Sequence, residues 1–72
     1  MRERYEVRRY IEGYEAALAD ARRGPGFTAH VIQVAGPAAL EGRVNAHWFQ
    51  GYKDAALGRR ADQPYERAVG MN

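Results

Sequence analysis

The chain contains no cysteine and no serine, and its single threonine is Thr28. Without cysteine there is no disulfide framework and no thiolate metal site. Ser–His and Cys–His catalysis would have no nucleophile other than Thr28. The two histidines, His30 and His47, stand in neither a His-x-x-His nor a His-Glu pattern, so no metal centre is expected. Gly24-Pro25-Gly26 lacks the Lys-Ser/Thr ending of a phosphate-binding loop, and no dinucleotide fingerprint is present. The chain is therefore expected to be neither an enzyme nor a cofactor carrier. No apolar run approaches the roughly 18 residues that span a bilayer. With no secretory apolar segment either, the expected location is cytoplasmic.

Large aliphatics are also scarce. Leu, Ile, Val and Phe together make 12 of the 72 residues. Disordered chains share that scarcity but couple it to a high net charge, and here the net charge is +2. Five Tyr, one Trp and thirteen Ala can build a thin core of aromatic plates against small residues. Residues 1–60 are expected to form one small helical domain of modest stability, with 61–72 a loosely held tail.

Two related stretches organise the rest. Gly13-Tyr14-Glu15-Ala16-Ala17 and Gly51-Tyr52-Lys53-Asp54-Ala55 share a Gly-Tyr-x-x-Ala pattern, and each leads to an Arg pair, Arg22-Arg23 or Arg59-Arg60. Residues 5–23 read as an amphipathic helix, with Val7, Ile11, Tyr14, Leu18 and Ala21 on one face. Gly24-Pro25-Gly26 should end it. Thr28 through Ala35 is the most β-like segment, although a short buried helix fits as well. It has no second strand to pair with, so it is expected to be an extended crossover or a pairing edge for another copy. Pro37 suits the start of a second helix reaching about Leu57, where Gly58 can cap it. Gly42 weakens that helix, and Asn45 could then cap a shorter one. Gly13 and Gly51 would let the two helices approach closely. The expected fold is mainly α: a two-helix antiparallel hairpin, about 5–23 and 37–57, with a crossover that holds an extended or β-like segment at about 28–35.

These paired motifs resemble the ribosome modulation factor family, small bacterial proteins that bind the small ribosomal subunit during hibernation. In that family a Gly-aromatic motif in the first helix is answered by a Trp-x-x-Gly-aromatic motif in the second. Gly13-Tyr14-Glu15-Ala16-Ala17-Leu18-Ala19 looks like the first, and Trp48-Phe49-Gln50-Gly51-Tyr52-Lys53-Asp54-Ala55 looks like the second. The resemblance covers about a third of the chain. It implies a non-enzymatic ribosome- and rRNA-binding module that acts in translation regulation or hibernation.

The candidate RNA contacts are Arg22, Arg23, Lys53, Arg59 and Arg60, with Arg8, Arg9 and Phe49 as further members. Ten Arg to one Lys suits bidentate phosphate contacts, and equally suits the codon usage of a GC-rich genome. Arginine near a helix C-terminus is also favoured by the helix dipole alone. The charge is spread evenly rather than on one basic face. That balance keeps a second expectation open, a small protein-binding regulator or inhibitor of the kind phages encode. It would use Phe49 and residues 27–35 as an apolar contact, and a homodimer through residues 28–35 would fit the same segment.

Overall fold

A computed structural model describes residues 5–59, and within them three helices follow in order. Helix α1 spans Tyr5–Asp20 and runs into a 3-10 turn at Ala21–Arg23. Helix α2 spans Pro25–Leu40, and α3 spans Ala46–Ala56. The mainly α expectation holds, and no strand occurs among the described residues.

The β-like reading of residues 28–35 is corrected, because that segment lies wholly inside α2. Val31, Ile32 and Val34 favour a strand only where a neighbouring strand can take their backbone groups. Among the described residues there is no partner strand, and the i→i−4 pattern pairs those groups locally. Pro37 does not open a helix. It sits inside α2, whose first helical position is held by Pro25 instead. Gly24, at φ 114°, makes the turn between α1 and α2.

The second expected helix is likewise divided. Arg43 N–H bonds to the Ala38 carbonyl at 2.8 Å and Gly42 N–H to Ala39 at 3.1 Å. This paired pattern closes α2 in a Schellman motif. Asn45 then caps α3, its Oδ1 accepting from the backbone of His47 at 2.9 Å and Trp48 at 3.1 Å. Arg59 N–H to Asp54 and Gly58 N–H to Ala55 repeat the Schellman pattern at the far end of α3.

Like ends of α1 and α3 come together, so α3 runs in the general direction of α1. The antiparallel hairpin is therefore corrected. Asn45, at the start of α3, donates from Nδ2 to the Tyr5 hydroxyl at 3.2 Å, at the start of α1. At the other end Ala21 shares a groove with Ala56 and Leu57. A crossover helix of 16 residues rises about 24 Å, enough to carry the chain back along α1.

The main interface is α1 against α3, and α2 packs chiefly on α3. The contact between α1 and α3 is backbone on backbone. A methyl group at Gly13 would overlap the Trp48 carbonyl, and one at Gly51 would overlap the Tyr10 carbonyl and reach the Tyr14 nitrogen at 3.0 Å. This close crossing also selects which stripe of α1 is buried. Val7, Tyr10, Gly13 and Ala17 are buried, while Leu18, expected on the apolar face, is exposed. The buried stripe is rotated by about one residue from the expected one because it is centred on the missing side chain of Gly13.

Candidate nucleic-acid interface

Around the glycine crossing, tyrosine hydroxyls pair the two helices. Tyr10 is fully buried and donates to Asp54 Oδ2 at 2.6 Å; Asp54 is itself only 2% exposed. Gln50 Nε2 donates to the other Asp54 oxygen at 3.0 Å, and the Arg59 guanidinium lies 3.4 Å from it. In the reverse direction Tyr52 of α3 donates to Asp20 of α1 at 2.8 Å. Tyr14 reaches the Arg59 carbonyl at a longer 3.4 Å. Trp48 stacks on Tyr52 with ring centroids 5.1 Å apart. The tyrosine of each Gly-Tyr motif thus reaches the C-terminal part of the other helix.

Burial raises the Tyr52 pKa well above the usual phenol value, and the hydrogen bond and negative charge of Asp20 push it the same way. Because the folded value lies above the unfolded one, the contribution is fully present below about pH 10. It is lost as pH rises beyond that. Urea titrations should show stability falling above about pH 10 in the native chain, and falling less steeply in Tyr52→Phe. Equal slopes would mean that Tyr52 ionises freely in the folded state.

The arginines are distributed as the shared direction of α1 and α3 dictates. Arg22 and Arg23 close the 3-10 turn and are exposed. Arg59 follows α3 and is half-exposed. Ala21 and Leu57 line one groove, so these two basic segments meet at the same end of the domain. Asp20 accepts from Tyr52, and Asp54 accepts from Tyr10 and Gln50 while also pairing with the Arg59 guanidinium at 3.4 Å. Arg60 lies outside the described residues, as does the expected tail at 61–72.

The remaining candidates sit elsewhere. The Lys53 ammonium lies 5.2 Å over the Phe49 ring. Phe49 is half-buried, and its ring edge faces Gly36 of α2, 3.5 Å from where a Cβ would stand. The crossover therefore covers part of Phe49. Arg9 pairs with Glu12 at 2.8 Å and lies over Tyr5, and Arg8 is exposed on the same helix. Both are in the first half of α1, away from the basic end.

Sequence reasoning placed Phe27 only in the apolar contact of residues 27–35 and missed its pairing with Arg23, whose guanidinium lies 4.8 Å over the ring at that end. The pair crosses the Gly24 turn, so helical spacing gave no signal for it. It also missed the buried role of Asp54, which the i,i+4 spacing to Gln50 could have suggested. His30 is exposed and His47 half-buried. No group of three His, Asp or Glu side chains comes together among the described residues. None of the described helices is long and apolar enough to cross a membrane. Compared with family models, curated proteins and solved structures, the chain has no match.

Proposed function

We propose that this chain is a non-enzymatic RNA-binding module that docks on ribosomal RNA of the small subunit, resembling ribosome modulation factor and acting in translation regulation or hibernation. The observation that supports the reading most is the meeting of Arg22, Arg23 and Arg59 at one end of the domain. An antiparallel hairpin would hold these segments apart. Together they offer several planar donors to neighbouring phosphates, with Phe27 beneath Arg23 holding one guanidinium in place. Arg60 follows Arg59 in the sequence and lies outside the described residues. Arg8 and Arg9 lie away from this end and Lys53 sits over the Phe49 ring, so these four contribute less.

Phosphate contacts release counterions, so affinity should fall steeply with salt. Anisotropy titrations with small-subunit RNA should give a log–log salt slope that shrinks by about one for each arginine replaced in Arg22→Ala and Arg23→Ala. Unchanged slopes in both variants would remove these residues from the interface.

A second reading, a small protein-binding regulator or inhibitor, draws on α2, which carries no Asp, Glu, Lys or Arg from Pro25 to Leu40. Affinity capture with and without nuclease separates the two. Nuclease-sensitive recovery of ribosomal components supports the first, and a nuclease-resistant protein partner supports the second.

A further inference from the structure

Several arginines of this chain are paired with acids inside it. Arg9 pairs with Glu12, Arg43 with Glu41 and Arg59 with Asp54. Arg22 and Arg23 differ, since neither side chain makes an ion pair or hydrogen bond among the described residues. Asp20, the acid nearest them in sequence, is turned instead towards Tyr52 and accepts its hydroxyl at 2.8 Å.

Arg23 has an aromatic neighbour in place of an acid. Its guanidinium lies 4.8 Å over the Phe27 ring. Arg23 is exposed and Phe27 half-buried. A guanidinium over a ring uses one of its two faces, so the other face and the N–H edge stay open. The Gly24 turn sets the backbone on both sides of the pair. Gly24 N–H bonds to the Ala21 carbonyl and Phe27 N–H to the Gly24 carbonyl, both at 3.1 Å. Residues placed before a ligand arrives lower the ordering cost of binding it.

A bare phosphate asks only for charge and N–H donors. An open guanidinium face held by a ring, beside a second arginine without an acid, suits a ligand that carries both a phosphate and a flat ring. An unpaired nucleotide has both. In a duplex each base is stacked between its neighbours and cannot reach such a platform. We infer that Arg23, held over Phe27, is a stacking platform for an unpaired base, with Arg22 and Arg59 taking the flanking phosphates. The site therefore takes single-stranded rather than duplex RNA. This inference rests on the RNA-binding reading and names the form of RNA it takes. Phe27 belongs to neither Gly-Tyr motif.

Two probes of equal length and charge test it: a short single-stranded RNA of mixed sequence, and an abasic strand with the same sugar–phosphate backbone. In anisotropy titrations with the full chain, the strand that carries bases should bind roughly tenfold tighter, as one stacked base provides. Both strands should give the same salt slope, because both present the same phosphates. Arg23→Lys keeps the charge but not the plane, so it should lose the preference and keep the slope. Its side chain is exposed, so the fold should be unaffected. Phe27→Leu should weaken the preference in the same direction, and Arg22→Lys should retain it. Unlabelled duplex of the same sequence should compete less well than the unlabelled single strand, although it carries more phosphate. Equal affinity for the two strands overturns the platform and leaves the phosphate contacts standing. So does a preference that survives in Arg23→Lys, or a duplex that competes as well as the single strand. No binding to either strand at low salt overturns this inference and the RNA-binding reading together.

Discussion

Gly13→Ala and Gly51→Ala are each expected to destabilise the protein strongly, by about 3 kcal/mol or more. In an isolated helix the change would be favourable by about 1 kcal/mol, since alanine is the better helix former. At these positions the added methyl meets main chain. The Trp48 carbonyl carbon would lie 2.7 Å from a Cβ on Gly13, and the Tyr10 carbonyl carbon 3.0 Å from one on Gly51. A side chain could rotate away, but a helix backbone must move as a body and would carry the tyrosine pairs with it. Overpacking of this kind costs about 1–3 kcal/mol, and more when backbone must shift. A domain of this size has on the order of 5 kcal/mol to lose. Gly26→Ala is the control. No atom lies within 4 Å of its added methyl, so it should be neutral or stabilising by about half a kcal/mol. Circular dichroism with urea titration reads all three, and a folded, native-like Gly13→Ala would disprove the close crossing.

Asp54→Ala is expected to cost about 2–4 kcal/mol, the largest effect of any polar substitution in the described residues. It removes the acceptor of the Tyr10 hydroxyl, which is fully buried and has a 2.6 Å bond to the carboxylate. A buried donor left unpaired carries its whole desolvation penalty. Gln50 and Arg59 lose the same partner. Tyr10→Phe should cost less, about 1–2 kcal/mol, because Asp54 keeps Gln50 and Arg59. The two changes act on one bond, so the double variant should be well short of their sum. Additive losses in a urea-based double-mutant cycle would show that the hydroxyl and carboxylate are not coupled.

Several parts of this fold were legible in the sequence. Helix α1, the weak point at Gly42, the glycine cap after α3, the N-cap Asn45 and the close approach at Gly13 and Gly51 all follow from local chemistry. These features depend on a few neighbouring residues, and local pattern is sufficient for them. Residues 28–35 were misread because β-branched aliphatics fit either a strand or an apolar helix, and the choice depends on whether a partner strand exists. The relative direction of α1 and α3 was misread for a related reason. It depends on how many times the chain reverses, so an extended crossover and a helical one give different answers. At the candidate site, Arg22, Arg23 and Arg59 were singled out individually. Their meeting at one end was not visible, because it follows from that direction. Asp54 is a buried acceptor, a role set by Tyr10 forty-four positions away and so not visible locally.

The central claim is that α1 and α3 run in the same direction and so gather the basic segments at one end. Distances between spin labels test it directly, because the chain has no cysteine to remove. Labels on Leu57→Cys paired with Arg22→Cys, and on Leu57→Cys paired with Glu6→Cys, sit at exposed positions. The account predicts the shorter distance between 57 and 22, at opposite sides of one groove. A shorter distance between 57 and 6 would mean that the helices are antiparallel, and would contradict it.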